Sequence, residues 1–522
     1  MILDKKSLPE PVPSRSRKNS TTRRSIQHVF GFLAFMVTFL YIALIITGRQ
    51  NTEILMQVPD FHVQIEPTSQ GITETTTDFN DSPKSHIIPS DLESFQQCSI
   101  KNFLGTGLPF LGSAAELPVV EYVQRRDRLA VALERDGVSA FVVEPGYTFK
   151  YYANVSQPKW EVWEPEERPF LMVVKPAKDL ETGRTIANTS FLVPSFEAER
   201  ARLLHMPFPE ALQLVTWEEH WNPYTTLLDS HTFAPLLGRG QTPKIMVDEE
   251  MRDFIQRGLG KAGFDVVGLS GTVEAVRQRK SPREVEILRA VNTGTVEAVR
   301  QMRKCLYPGL TENDVMHVLD NTLRVAGMEP FFDIVLFEED AALPHGGIDG
   351  TRVLKSDDYV LIDVGAHLYG YSSDICRTFF PPSFPKPTTK ADVQALSPKL
   401  QEKLKVWDIV FEAQSRSIEA MKHNATAASA DIAARHVIEE AGYRKEFTHR
   451  VGHGIGIKAH ESPYLNKGNF ESILKPGMAF TCEPGIYIDW YFGVRHEDIL
   501  LVNEEGLPEL LTGQRAIGPW DP

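Results

Sequence analysis

The sequence predicts an α/β domain followed by a second folded region of mixed helix and strand, both behind a single N-terminal transmembrane helix. Three observations carry that reading. One uncharged apolar run lies near the start, strand and helix patterns alternate between residues 113 and 275, and a sharp helix start at Ser281 precedes acidic residues set in apolar strands. At ~150 residues per domain, 522 residues suggest roughly two to four domains. Hydrophobic residues make up 42%, enough for a substantial core, so a wholly disordered or fibrous chain is excluded. The net charge of −14 lacks the basic footprint of generic nucleic-acid binding. Cys98, Cys305, Cys376 and Cys482 are scattered and include no Cys-x-x-Cys pair. That argues against a disulfide framework and excludes a zinc ribbon.

The apolar run spans Val29 to Thr47 and carries no charge, about the length needed to cross a bilayer core. Arg15, Arg17, Lys18, Arg23 and Arg24 precede it, and only Arg49 follows closely. The positive-inside rule then predicts a cytosolic basic tail over residues 1–28 and an uncleaved signal anchor over 29–47. Everything beyond would be lumenal or extracellular. A cleaved signal peptide fits less well, because the apolar run and the segment before it are long and no small-x-small site follows. Asn80, Asn154, Asn188 and Asn424 lie in Asn-x-Ser/Thr triplets, compatible with a glycoprotein of a secretory compartment. Residues 48–112 are rich in Thr, Ser, Asp and Pro and read as a flexible stalk, with Cys98 a spare thiol near its end.

Residues 113–275 read as an α/β domain. ELPVVEYVQRRDRLAVALERDG predicts a helix closed at Asp136-Gly137, and SAFVVE, PFLMVV and TSFLVP predict strands. KIMVDEEMRDFIQRGLGKAGFDVVGL then reads strand, helix, strand. No catalytic constellation is visible there. The aromatic stretch from Tyr147 to Trp163 reads as core and surface aromatics, with a cleft lining as the alternative.

Residues 276–522 form the second region. Ser281 is a candidate N-cap, Pro282 fits the first helical position and Glu284 completes a capping box. The string GTVEAVR at Gly271 and again at Gly294 is a single echo, not a repeat architecture. In YVLIDVGAHLYGYSSDICRTFF, a fold-back about Leu368 and Tyr369 sets Asp363 opposite Asp374. In MAFTCEPGIYIDWYFGVRHEDILLV, a fold-back about Trp490 sets Glu483 opposite Glu497. Facing carboxylates repel, so two such pairs in apolar strands call for compensating cations. A third segment, THRVGHGIGIKAHESP, frames His453 with glycines and places His449 and His460 nearby. Four carboxylates and the imidazole of His453 suit two relatively hard divalent ions, Mn²⁺ first, with Co²⁺, Fe²⁺ and Zn²⁺ as alternatives. Bridging carboxylates would hold them at the ~3.5–4 Å spacing of hydrolytic two-metal sites.

These blocks resemble the pita-bread metallopeptidases, in the Xaa-Pro dipeptidase (prolidase) and Xaa-Pro aminopeptidase branch. The resemblance covers residues 115 to 515. It rests on Pro344-His345-Gly346, the Asp363 to Asp374 segment, Gly452-His453-Gly454-Ile455-Gly456, His460-Glu461, Glu483-Pro484-Gly485 and Arg495-His496-Glu497-Asp498. It implies a creatinase/prolidase-like N-terminal domain, an α+β pita-bread catalytic domain, and a homodimer. The implied activity is removal of the N-terminal residue from proline-containing peptides by a metal-bridging hydroxide. Carried over residue by residue, it implies that Asp363 chelates one metal and His453 the other. Asp374 and Glu497 would bridge, and Glu483 would bind the second metal and act as acid/base. His345 and His460 would contact substrate and the tetrahedral intermediate, Arg495 would orient neighbouring carboxylates, and His449 would line the proline-side pocket or serve structure alone. His496 should face away from the ligands, and Cys376 and Cys482 read as small buried fillers.

One departure concerns specificity. Some dipeptidases of this kind carry an arginine between the second site histidine and the glutamate ligand, yet Glu461 to Thr481 has none, only Lys467 and Lys475. Preference for dipeptides or longer peptides is therefore left open. Two other function classes are compatible with the residues: an enzyme of the same fold acting on a non-peptide amide or biosynthetic intermediate, and a non-catalytic tethered binding protein.

Overall fold

The computed structural model describes residues 91–160 and 163–522, which fall within one compact unit. Helix α1 (Leu92–Gly105) opens it, capped by Asp91, whose side chain accepts a hydrogen bond from Ser94 N at 2.7 Å. The end of the expected stalk is therefore folded. Phe95, Ser99 and Phe103 recur every fourth residue and are buried against the second region. Cys98 is bonded to Cys305, so the reading of a spare thiol is also corrected.

Helix α2 (Val119–Asp136) ends at Gly137, whose left-handed φ of 65° closes it. The sheet that follows has the order β4-β3-β2-β1-β5-β6. Its strands are β1 (Ala140–Val143), β2 (Leu171–Lys178), β3 (Thr185–Pro194), β4 (Gln213–Trp217), β5 (Lys244–Val247) and β6 (Asp265–Gly268). Alternate residues serve two cores. Phe141, Val143, Met172 and Val174 pack on one face, and Ala140, Val142, Leu171 and Val173 on the other. Burial on both faces explains why these strands read as unbroken apolar runs. Phe149, Tyr151, Tyr152 and Trp160 are core residues, whereas Tyr147 lines a cleft.

Helix α3 (Pro282–Arg303) begins with the capping box that Ser281 and Glu284 predict. Glu284 does a second job there. Its Oε1 accepts from Tyr371 Oη at 2.8 Å and lies 3.2 Å from Arg125 Nη2, both partners buried, so one carboxylate ties α3 to α2. Helix α3 and helix α4 (Glu312–Arg324) pack on the first of three sheets. The first has the order β10-β8-β7, with β7 (Glu329–Phe337), β8 (Val360–Leu368) and β10 (Ile375–Phe379), and the short β9 (Tyr371–Ser372) beside β8. The second has the order β12-β11-β13-β16-β17, from β11 (Gly452–Gly454), β12 (Glu461–Leu465), β13 (Ala479–Cys482), β16 (Asp498–Val502) and β17 (Pro508–Leu510). The third is the hairpin β14 (Gly485–Ile488) and β15 (Phe492–Arg495). Helices α5 (Pro398–Ala420) and α6 (Ala427–Glu440) cover the second sheet.

The predicted transmembrane helix is corrected. No helix among the described residues is long and apolar enough to cross a membrane, and residues 29–47 lie outside the described residues. The anchor, the membrane association, the lumenal or extracellular placement and the glycoprotein reading drawn from it are not carried further. An uncharged apolar run of the right length behind basic residues is a candidate for a span on sequence grounds alone.

Candidate metal centre

Two strand reversals and one glycine-framed strand build the centre. In the first reversal Leu368 pairs with Tyr371, and Tyr369 and Gly370 take φ values of 51° and 87°. Both central residues of this two-residue turn are left-handed, as a type I′ connection requires, and Gly370 meets that need without strain. The turn therefore sits one residue later than the expected fold-back. Asp363 pairs with Cys376, not with Asp374. Asp374 lies two residues before Cys376, diagonally across from Asp363, and the two carboxylates still reach one site.

The second reversal folds about Trp490. Cys482 pairs with Asp498 and Gly485 with Arg495, which brackets Glu483 against Glu497. Gly493 allows β15 to lie on the backbone of Ala341, where a Cβ would collide with the carbonyl oxygen. Gly452 likewise lets β11 approach the backbone of Thr481, whose Oγ1 accepts from His453 N at 3.1 Å.

These elements bring the five expected ligands together in overlapping groups. Asp363, Asp374 and Glu497 form one, and His453, Glu483 and Glu497 another, the ligand atoms of each lying within 4.8 Å of one another. Glu497 belongs to both. Asp374 and His453 also group with His460. His453 Nε2 lies 3.3 Å from Glu483 Oε1 and 3.6 Å from Asp374 Oδ2. Its Nδ1 faces Gly454 O at 3.1 Å, and a carbonyl only accepts, so Nδ1 donates there and Nε2 is the ring atom turned to the carboxylates of Glu483 and Asp374.

The centre is buried and unbalanced. Burial and the charges of their neighbours hold the carboxyls of Asp374 and Glu497 well above the ordinary range. Burial also raises Asp363, against the opposing pull of Arg495. Glu483 differs: burial acts to raise it, but the hydrogen bond and charge of His453 outweigh that and hold it below the usual range. Asp363 Oδ1 and Glu497 Oε2 are buried without a hydrogen-bond partner among the described residues. Orphaned oxygens of this kind need an explanation. An oxygen-rich donor set with one imidazole supplies it, because that set fits divalent cations.

A hydrogen-bonded chain leads away from the ligands. Arg495 Nη2 donates to Asp363 Oδ2 at 2.5 Å, and Nη1 donates to Tyr487 Oη at 2.8 Å. Tyr487 Oη lies 2.8 Å from His449 Nε2, and His449 Nδ1 lies 2.6 Å from Arg450 O. Since Arg450 O can only accept, His449 Nδ1 donates and its Nε2 accepts from Tyr487. Burial pulls His449 down to about 4, which agrees with this neutral tautomer.

His345 and His460 lie exposed at the rim. His460 Nε2 is 4.0 Å from Asp374 Oδ2 and its ring is edge-on to His453, while the His345 ring is 6.4 Å from that of His449. His496 is buried edge-on against Trp407 and makes no ligand contact. Sequence reasoning missed Tyr487, which links His449 to Arg495, and the support beneath Glu497. Arg377 donates to Glu497 O at 2.5 Å and to Asp498 Oδ1 at 2.7 Å, and Gln414 and Thr512 also hold Asp498. The signal available was an arginine and an aspartate within buried strands, where a charge persists only when paired.

Comparison with known proteins finds peptidases. Residues 286–504 match metallopeptidase family M24. The chain is 38% identical over 442 residues to an uncharacterized peptidase of Schizosaccharomyces pombe, covering 84% of this chain and 91% of that one. It is similar to the crystal structure of a dipeptidase from Mycobacterium ulcerans, at 27% identity and a TM-score of 0.63, over 77% of this chain and 98% of that one. It is also similar to an Xaa-Pro dipeptidase from Bacillus anthracis, at 26% identity and a TM-score of 0.58, over 75% and 98% of the two chains.

Proposed function

This chain belongs to metallopeptidase family M24, and from that premise we propose that it removes the N-terminal residue from Xaa-Pro peptides at a site for two divalent cations. The observation that carries the reading is the pair of ligand groups sharing Glu497, with buried oxygens of Asp363 and Glu497 left unpartnered. Asp363, Asp374 and Glu497 would hold one ion, and His453, Glu483 and Glu497 the other, with Asp374 bridging. Mn²⁺ is the first choice, and Co²⁺, Fe²⁺ and Zn²⁺ suit the same donors. Bound cations supply a water of lowered pKa and charge that stabilises a developing oxyanion.

The protein's own groups do the rest. Glu483 stays ionised beside His453, so it can accept a proton from water and return it to the leaving amine. His345 and His460, exposed at the rim, would donate hydrogen bonds to substrate where negative charge appears. Arg495 holds Asp363 in place, and His449, held by Tyr487, would line the proline side or serve structure alone. The Xaa-Pro preference is supported by the matching motifs and by likeness to the Bacillus anthracis Xaa-Pro dipeptidase. The homodimer belongs to the same reading, and sedimentation of the metal-loaded protein checks it.

Metal stoichiometry tests the centre. Wild-type protein, stripped and reloaded with Mn²⁺, should hold two ions per chain, and Glu497→Ala should hold fewer than one. One ion per chain in the wild type, or two in the variant, contradicts the shared-ligand arrangement.

A further inference from the structure

His460 is exposed at the rim, but the chain on either side of it is held by ion pairs. Two residues earlier, Lys458 Nζ lies 2.9 Å from Glu249 Oε1 and 3.0 Å from Glu250 Oε1. Both acids follow β5, so this hold comes from the α/β region. One residue later, Glu461 is buried, and its Oε1 accepts from Nζ of Lys280, the residue before the cap of α3. Its Oε2 is buried without a hydrogen-bond partner among the described residues and lies 3.8 Å from Arg277 Nε. Arg277, on the helix Gly271–Gln278, joins the two holds. Its Nη2 is 3.3 Å from Glu249 Oε1, and its Nη1 donates to Thr148 Oγ1 at 2.5 Å. Lys280 Nζ also donates to Arg277 O at 2.8 Å. Gly456 makes room for this network, because a Cβ there would stand 2.9 Å from Lys280 Nζ and 3.1 Å from Glu461 Oε1.

We propose that Glu461 and Lys458 are positioning residues for His460, and that the α/β region serves the reaction through Glu249, which holds both Lys458 and Arg277. The proposal deepens the peptidase reading and rests on it, since His460 is there a substrate contact. Lys280, Arg277 and Glu461 are all buried. Taking three charges out of water costs desolvation that apolar side chains of similar volume avoid, so stability alone does not account for the network. Charge pairing adds direction. Glu461 is drawn to one place, between Lys280 and Arg277, and Lys458 to another, between Glu249 and Glu250. Only Ala459 and His460 lie between the two fixed points, a span of at most about 10 Å of chain. That leaves the backbone of His460 little slack and sets its ring edge-on to His453, with 4.1 Å between centroids. A misplacement of about 1 Å at such a contact costs up to ~10²-fold in rate.

The test measures kcat on the metal-loaded full chain for Lys458→Met, Glu249→Gln and Glu461→Gln, each alone and combined with His460→Ala. Lys458 and Glu249 are partly exposed, so their variants carry the test even where Glu461→Gln fails to fold. Each single variant should lower kcat by about 10-fold or more, with KM changed less and metal content at the wild-type value. In the His460→Ala background the same substitutions should lower kcat by no more than ~2-fold, the additivity error of such a cycle, because the residue they position is gone. Equal factors in the two backgrounds, as a merely structural role would give, overturn the proposal, and so does wild-type kcat in Lys458→Met and Glu249→Gln. Should the wild type cleave neither Xaa-Pro dipeptides nor tripeptides, the peptidase reading falls by itself. Hydrogen exchange read by mass spectrometry then decides the hold on the segment. The Gly456 amide donates to Lys458 O at 3.0 Å and the Ser372 amide to Gly456 O at 2.9 Å. Both should exchange faster in Lys458→Met than in the wild type, and unchanged exchange at both overturns the proposal.

Discussion

Glu483 stands apart from the three acids around it because His453 stabilises its charge while burial and mutual repulsion favour protons on Asp374 and Glu497. This difference accords with the proposed roles, in which Glu483 takes a proton besides helping to hold a cation. Glu483→Gln should lower kcat by about 10²–10⁴-fold, the range for loss of a positioned acid/base, measured on metal-loaded protein at saturating substrate. The same imbalance gives the metal-free protein a pH dependence. Raised carboxyls bind protons more tightly in the folded state than in the unfolded one. Their contribution to stability is therefore full below the ordinary carboxylate range near pH ~4 and is lost as pH rises through the folded values. Melting temperatures of metal-free protein should fall as pH rises from about 5 to 8, and added Mn²⁺ should restore more stability at the higher pH. At this scale the clustered acids were legible, because acids in apolar strands are conspicuous. Tyr487 was not, since an aromatic in a strand reads as core until its hydroxyl is seen between His449 and Arg495.

Strand reversals place those residues, and their legibility differed. The fold-back about Trp490 follows from symmetrical apolar strands on either side, and its register is the observed one. The other reversal lies one residue beyond the expected point because Gly370 offers the second left-handed position of the turn. A single-residue displacement of the turn moves each partner by two, which keeps every side chain on its face. The acids therefore still converge although their pairing differs. Helix α1 was not legible, since its polar composition matches the segment before it and its buried stripe is only Phe95, Ser99 and Phe103. The seat of β15 yields a sharper test. A Cβ at Gly493 would meet the Ala341 carbonyl, so Gly493→Ala must push β15 away and carry Arg495 and Glu497 with it. The expected result is a stability loss of about 1–3 kcal/mol from overpacking, read by chemical denaturation, together with weaker metal binding.

Across the whole molecule, the two regions share a core and a buried charge network. Ile287, Leu288, Ile455 and Leu511 pack in the same cluster as Leu129 and Phe141. Arg125 joins them through Glu284 and Tyr371. The Cys98–Cys305 bond fastens α1 to the residues that follow α3. Composition alone indicated two regions but could not show that Glu284, read as a cap, also holds the second region to the first. Arg125→Leu would leave Glu284 buried and unpaired, a loss of about 3–5 kcal/mol, measured by equilibrium denaturation. Because the pair lies outside the metal centre, metal stoichiometry in the folded variant should stay at the wild-type value.

The central claim is metal-dependent hydrolysis at the Xaa-Pro bond, and one assay meets it most directly. Purified chain is stripped of metal and reloaded with Mn²⁺, and release of the N-terminal residue is followed from Xaa-Pro dipeptides and Xaa-Pro-Xaa tripeptides, with a chelator control. The account predicts cleavage that appears with Mn²⁺ and vanishes with chelator. Cleavage that survives full metal removal, or no cleavage of either substrate by protein shown to hold two ions, contradicts it.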